Sequence, residues 1–364
     1  MSHAPPLGAL LRQYAAGSAL TCEPVDQGLL NRGYRLCTTR GRYFLKHHFD
    51  PETADPAAIA RQHRATQRLA DLGVPVAPPL TGTDGRTVAV VGGHAYALHP
   101  WVDGRHRHGG QLTAEQCARL GALLGVVHAS LEQVMPAQGR GSAKPAEGVA
   151  PAEGGAPAEG GAPADGAAPS PGAAPADGAD PADTFALIDH LLARVRHHRP
   201  SDAFDELARH RLLERRALLE RHADRRPPQG ASVGWVHGDF HPFNLLYRDG
   251  EPAAIVDWDR LGVQPRAEEA VRAAVIFFVR PVGALDLTKV RAYARAYRRT
   301  AGATASELAA AVHRVWWERL NDFWILRWHY ERGDTRADPQ FPAASALAVW
   351  WTREYEAVRE AFAG

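Results

Sequence analysis

Lysine, asparagine and cysteine are scarce in this chain of 364 residues, and each scarcity narrows what the chain can be. Lysine occurs only at Lys46, Lys144 and Lys289, so nearly all the basic residues are Arg, and asparagine occurs only at Asn31, Asn244 and Asn321. The cysteines Cys22, Cys37 and Cys117 are odd in number and scattered. They lack the C-x-x-C spacing of a zinc or redox site and read as reduced cytosolic thiols. Net charge is also nearly absent, at a formal +1, so no overall field draws the chain onto nucleic acid or an anionic membrane. No stretch approaches the ~18 uninterrupted apolar residues of a membrane span, and the N-terminus has no basic segment followed by an apolar one. The expectation is a cytoplasmic protein with neither nucleic acid nor membrane as partner.

What is present suffices for two lobes, since 45% of the residues are hydrophobic. From about Gln27 to Lys46, short β-like runs are broken by Gly28, Gly33 and Gly41, with Tyr34, Leu36, Tyr43 and Leu45 alternating against polar neighbours. A helical stretch from Ala57 to Asp71 follows, then a strand pair from Thr87 to Leu98 around Gly92-Gly93. Residues 1–98 therefore read as a small antiparallel N-lobe with one helix. Residues 99–135 hold a connecting segment and a helix from Leu112 to Leu131, capped by Thr113, that begins a second lobe. Residues 136–182 are mostly Ala, Pro, Gly, Glu and Asp in near repeats without an aromatic, a composition expected to form a disordered insert and passive spacer. From 183 to 364 the pattern is mostly helical, including one long helix from Ser306 to Arg332 and another from Pro342 to Phe362. The fold class is α+β and bilobal.

The chemistry concentrates in His237-Gly238-Asp239-Phe240-His241-Pro242-Phe243-Asn244 and in Ile255-Val256-Asp257-Trp258-Asp259. Between them lies a hairpin turning at Asp249-Gly250, which places Asn244 and Asp257 at its two ends, where both can reach one metal ion. In phosphoryl transfer an Asp orients and deprotonates the attacking hydroxyl, while an Asn of the same loop and a later Asp hold magnesium on the ATP phosphates. Asp239 fits the first role, and Asn244 and Asp257 fit the second. Lys46 ends the β-prone run Gly41-Arg42-Tyr43-Phe44-Leu45-Lys46, where a compact ammonium can grip ATP phosphates and a planar guanidinium is not equivalent.

Other residues leave alternatives open. Asp259 can meet magnesium or substrate, or cap the next turn. Glu268 and Glu269 can face substrate or complement a helix dipole. His237 and His241 do not lie on a helix and have no third ligand nearby, so a structural role is favoured over a metal. His47-His48 and His106-Arg107-His108 read as surface residues. Trp316, Trp317, Phe323, Trp324, Trp328 and Tyr330 form stripes that suit core packing or an aromatic wall beside the substrate.

These motifs, with Leu120-Gly121, Val127-His128 and Phe44-Leu45-Lys46, resemble the aminoglycoside phosphotransferase and choline kinase superfamily of the protein-kinase-like fold. The resemblance covers the chain outside the insert and looks closest to the bacterial homoserine-kinase-like and stress-response-kinase-like members. It implies Asp239 as catalytic base, Asn244 and Asp257 as magnesium ligands, and Lys46 on the ATP phosphates. It also implies nucleotide contacts at Gly28 and Asn31 and a hinge at Pro100, Trp101 and Val102 that meets adenine. Two features depart from the pattern. Gln62 stands where the helix Glu that pairs with the strand Lys is common, leaving Gln62 itself or Glu52 as substitutes. The loop Gln27-Gly28-Leu29-Leu30-Asn31-Arg32-Gly33 is a reduced form of G-x-G-x-x-G.

The expected activity is ATP- and magnesium-dependent transfer of phosphate to the hydroxyl of a small metabolite, an amino alcohol, a sugar or a relative, with Asp259, Glu268 and Trp324 as candidate substrate residues. Phe185 to Gln229 holds ten Arg against seven Asp and Glu, which disfavours a polycationic aminoglycoside as acceptor. A Ser/Thr protein kinase of the stress-response type, an aminoglycoside phosphotransferase and a nucleotide-binding pseudokinase are the alternatives.

Overall fold

A computed structural model describes residues 4–25, 31–49, 54–135, 178–228 and 233–364. Gly28, Glu52, Lys144 and residues 136–177 of the expected insert lie outside them. The Tyr34/Leu36 and Tyr43/Leu45 alternation builds two neighbouring strands of a five-stranded antiparallel sheet in the order β1-β2-β3-β5-β4. Its strands are β1 (Ala19–Val25), β2 (Arg32–Thr38), β3 (Gly41–His48), β4 (Ala89–Val91) and β5 (His94–Pro100). Because β3 is paired on both sides, with Lys46 opposite Gly33 on β2 and Ala97 on β5, the Lys46 backbone is held firmly.

One face of the sheet packs against α1 (Leu7–Gln13), where Leu10, Leu11 and Tyr14 meet Tyr34, Leu36, Leu45 and Leu98. Both α1 and β1 lie ahead of Gln27, where the sequence pattern first reads as sheet. The other face carries α2 (Pro56–Asp71). That helix starts where Asp55 accepts the amides of Ala57 and Ala58, with Pro56 in the first turn. Covered on both faces, β3 cannot follow a simple in-out alternation. His47 and His48, expected at the surface, are only 3% and 2% exposed. His47 stacks on Tyr96, with ring centroids 4.5 Å apart.

The larger lobe begins with α3 (Ala114–Val134), capped reciprocally by Thr113 and Gln116. It then runs through α4 (Pro181–His197), α5 (Ala203–His222), α6 (Arg266–Phe278), α7 (Leu287–Ala301), α8 (Ala305–Asn321), α9 (Trp324–Arg327), α10 (Phe341–Arg353) and α11 (Tyr355–Ala363). Two short sheets, β6 (Gly234–Val236) with β9 (Gly262–Gln264) and β7 (Leu245–Arg248) with β8 (Glu251–Ile255), are set among the helices. Gly121 lets α3 approach α7 closely, since a Cβ there would overlap the Tyr293 carbonyl.

Helix α4 starts at Pro181, capped by Asp180, inside the span read as insert. Residues ahead of it are also tied down: Trp317 Nε1 donates to the Ala179 carbonyl at 2.9 Å, and Arg226 Nε to that of Gly178 at 2.6 Å. The long helix expected from Ser306 to Arg332 is broken. Asp322 is extended and its carboxylate accepts the Trp324 amide at 3.1 Å, so the side chain competes with the helical ladder. After the four residues of α9 the turn widens over Trp328–Arg332. The helix expected from Pro342 to Phe362 likewise divides at Glu354.

Candidate active site

Asp239 sits on the loop between β6 and β7, and the loop is tied to the hairpin by hydrogen bonds rather than by length of contact. The Asp239 amide donates to His237 Nδ1 at 3.2 Å, which leaves Nε2 of the same ring to donate to the Val256 carbonyl at 3.0 Å. Asn244 Nδ2 donates to the Asp239 carbonyl at 2.8 Å, and the Val256 amide donates to the Asn244 carbonyl at 2.9 Å. These four bonds set Asp239, Asn244 and Asp257 side by side. His237, fully buried, is a structural link, as expected.

The Asp239 carboxylate has His241 Nε2 at 3.6 Å and Arg260 Nη1 at 4.0 Å. Burial works to raise its pKa, but the nearby His241 ring and then the charge of Arg260 outweigh it and hold the carboxyl below its ordinary value. It is ionised at neutral pH and can only accept. Arg260 was not singled out by sequence pattern; its place one residue after Asp259 carries no distinct signal.

Lys46 lies between two carboxylates, with Nζ 2.5 Å from Asp257 Oδ1 and 2.7 Å from Asp259 Oδ2. The Lys46 side chain is 11% exposed, that of Asp259 20% and that of Asp257 47%. Asp257 takes a left-handed backbone, φ 60°, at the start of a tight turn over Trp258–Arg260. Burial would raise its carboxyl, yet the Lys46 charge and hydrogen bond bring it well below the ordinary range. The Asp259 carboxyl is instead pushed up to about 6, by burial first and then by the neighbouring Asp257 against the pull of Lys46. Asn31 Nδ2 donates to Asp259 Oδ2 at 2.5 Å, and Gln62 Nε2 donates to the Asp259 carbonyl at 2.7 Å. The structure thus brings Asn31, Lys46, Asp257 and Asp259 into one cluster.

At the expected hinge, Pro100 pairs with Tyr43, and the Trp101 amide donates to the Arg42 carbonyl at 3.1 Å, so the β3–β5 ladder runs one residue past the strand. The Arg35 guanidinium lies over the Trp101 ring, and Val102 follows half-buried. Beyond it Arg105 exchanges two backbone hydrogen bonds of 2.9 Å with Tyr247, joining this connection to the hairpin. Two candidate substrate residues are engaged elsewhere. Glu268 bonds Arg314 Nε at 2.6 Å and Arg272 Nη2 at 3.0 Å, and the Trp324 ring stands edge-on to Trp328 at 5.3 Å.

Known proteins resemble this chain in sequence and in fold. A homoserine kinase of Bartonella tribocorum is 26% identical over 126 residues, which are 35% of this chain and 38% of that protein. The match therefore spans well under two thirds of that relative's length. An amicoumacin kinase bound to AMP-PNP and Ca2+ superposes with a TM-score of 0.57 at 16% identity, covering 95% of this chain and 92% of the other. A microcompartment-associated aminopropanol kinase does so with 0.57 at 16% identity, covering 97% of each. At such identities the likeness establishes the fold, which is the bilobal kinase-like one. Residues 21–303 match the phosphotransferase enzyme family, and the chain belongs to it.

Proposed function

We propose that this chain transfers the γ-phosphoryl group of ATP to a hydroxyl of a small metabolite, with an amino alcohol as the favoured acceptor class. The observation that carries this reading is the juxtaposition of an ionised Asp239 with Asn244, Asp257 and Lys46. Its sequence relatives support the acceptor class, since homoserine bears both an amine and a hydroxyl.

The donor set fits a hard divalent cation. Asn244 and Asp257 offer oxygen atoms, and the Asn244 amide nitrogen is already spent on the Asp239 carbonyl, leaving Oδ1 for a metal. Magnesium held there supplies charge neutralisation for the phosphate oxygens. The residues of the chain do the rest. Asp239 accepts the proton of the acceptor hydroxyl and fixes its direction of attack, His241 and then Arg260 hold that carboxyl below its ordinary pKa, and Lys46 gives the phosphates an ammonium of fixed position. Catalysis in this scheme rests on positioning and electrostatics, without a covalent enzyme intermediate.

The test is ADP release with ATP and magnesium across a panel of amino alcohols, sugars, choline-like amines and aminoglycosides, with Asp239→Asn in parallel. Acceptor-stimulated turnover that vanishes in the variant supports the reading and names the class. ATP binding without stimulation by any acceptor overturns it in favour of a protein substrate or a nucleotide-binding role.

A further inference from the structure

Among the described residues Lys46 has two carboxylate partners, and neither comes from α2. In protein kinases the strand lysine pairs with a glutamate of the helix facing it, and that pair must be in place for activity. Here the helix offers Gln62, whose amide does not go to the ammonium. It reaches the backbone carbonyl of Asp259 at 2.7 Å. The Asp259 side chain then meets Lys46 at 2.7 Å and Asn31 at 2.5 Å. Helix, strand and the turn after β8 are joined through this one aspartate.

We infer that Asp259 replaces the missing helix carboxylate as the standing partner of Lys46, and that Gln62 sets Asp259 in place from α2. The inference rests on the kinase reading above for its consequence, but the pairing itself does not. An ammonium this deeply buried needs an anion beside it, because an unpaired buried charge is strongly destabilising. Asp257 also contacts Lys46, but with its side chain 47% exposed it keeps open surface for a metal; Asp259, 20% exposed and held by Asn31 and Gln62, is the enclosed partner of Lys46. The helix is then coupled to the lysine by a neutral hydrogen bond and one intervening residue, and not by a direct ion pair.

The scarcity of lysine makes the pairing measurable without nucleotide or acceptor, since an amine-reactive acylating reagent can modify only Lys46, Lys144, Lys289 and the N-terminus. Labelling of Lys46, read by peptide mass, is compared in the full chain and in the Asp259→Asn, Asp257→Asn and Asp259→Asn/Gln62→Glu variants, with Lys144 and Lys289 as internal references and a thermal melt as the check on folding. Loss of the standing partner should release the amine from its enclosed contact and raise the Lys46 rate about tenfold in Asp259→Asn. The rise should be smaller in Asp257→Asn, and the added glutamate should bring the double variant back toward the wild-type rate.

In ATP titrations the same pattern should appear as weaker binding in Asp259→Asn without magnesium and recovery in the double variant. A larger rise in Asp257→Asn, or no recovery on adding Gln62→Glu, overturns the inference. So does a defect in Asp259→Asn confined to a higher magnesium requirement, which would make Asp259 a metal ligand. If the chain proves not to be a kinase, the labelling arm still decides the pairing.

Discussion

Glu269 and Gly238 are joined by a hydrogen bond of 2.5 Å in which the Gly238 amide donates to Oε1. The second oxygen accepts the His237 amide at 3.2 Å and His128 Nε2 at 2.7 Å, and the other ring nitrogen of His128 meets the Tyr297 hydroxyl at 3.0 Å. A buried carboxylate from α6 therefore fastens the two residues ahead of Asp239. Burial alone would raise its pKa, but the bonds to His128 dominate and keep it ionised. Glu269→Gln puts an amide NH2 against donors. Steady-state kinetics should show kcat reduced about 10- to 100-fold with the KM for ATP changed less than about twofold, and urea unfolding a loss of ~1–3 kcal/mol. An unchanged kcat would show that the loop keeps its place without Glu269.

Gly238 has a second constraint. Its φ is 86°, and a Cβ there would overlap the carbonyl oxygen of Arg260, the residue whose guanidinium faces Asp239. Gly238→Ala must move either the loop or the turn over Trp258–Arg260, at a cost of ~1–3 kcal/mol. Turnover should fall at least about tenfold while ATP binding persists, since Lys46 lies on a different element. Binding and turnover lost in equal measure would place the damage in the fold as a whole.

The site was legible in sequence where its chemistry is local. Asp239 and Asn244 share one loop, and the Asp249-Gly250 turn fixes the register that brings Asp257 beside them. What stayed hidden depends on contacts between distant elements. Gln62 reads as a defect in α2 until its amide is seen on Asp259, 197 residues away. Glu269 reads as a helix-dipole carboxylate until the His237 and Gly238 amides are placed against it. The break at Asp322 is masked because the aromatic stripes on either side continue a helical period, while one side chain capping one amide ends the helix. The two histidines after Lys46 read as surface residues but are buried, because β3 is covered on both faces, which no alternation in the strand itself can announce.

Lys46 should not tolerate arginine. The ammonium fits between Asp257 and Asp259 at 2.5 and 2.7 Å, and a planar, longer guanidinium cannot meet both carboxylates from the same Cα. Calorimetry on Lys46→Arg should give ATP binding weaker by about tenfold or more, with a matching or larger loss in kcat/KM. Binding within about twofold of wild type would mean that charge alone, and not its shape, is what this position supplies.

The N-lobe should be acid-sensitive because of histidines that face Lys46 from three elements. His48 on β3, His63 on α2 and His99 on β5 are lowered to about 2, about 3 and about 4, in each case chiefly by burial, with the Lys46 charge adding to it. His63 Nδ1 pairs with Thr87 Oγ1 at 2.8 Å and His99 Nδ1 with the Ala77 carbonyl at 2.9 Å, whereas both ring nitrogens of His48 are buried without a hydrogen-bond partner among the described residues. The unfolded chain protonates these imidazoles near the ordinary 6.5 and the folded chain does not. Their contribution to stability is therefore complete above that value and is lost as pH falls from there toward the folded values. Each fully shielded histidine contributes ~1.4 kcal/mol per pH unit below 6.5, so three can remove up to about 4 kcal/mol at pH 5.5, a large share of an ordinary domain's stability. Asp259, raised to about 6, works in the opposite direction and offsets less than one of them. Urea midpoints measured at pH 8 and pH 5.5 should show this loss, and His48→Leu should remove about a third of the difference while leaving the pH 8 value little changed. An equally steep dependence in His48→Leu would mean that the imidazole at position 48 is protonated, or reached by water, in the folded protein.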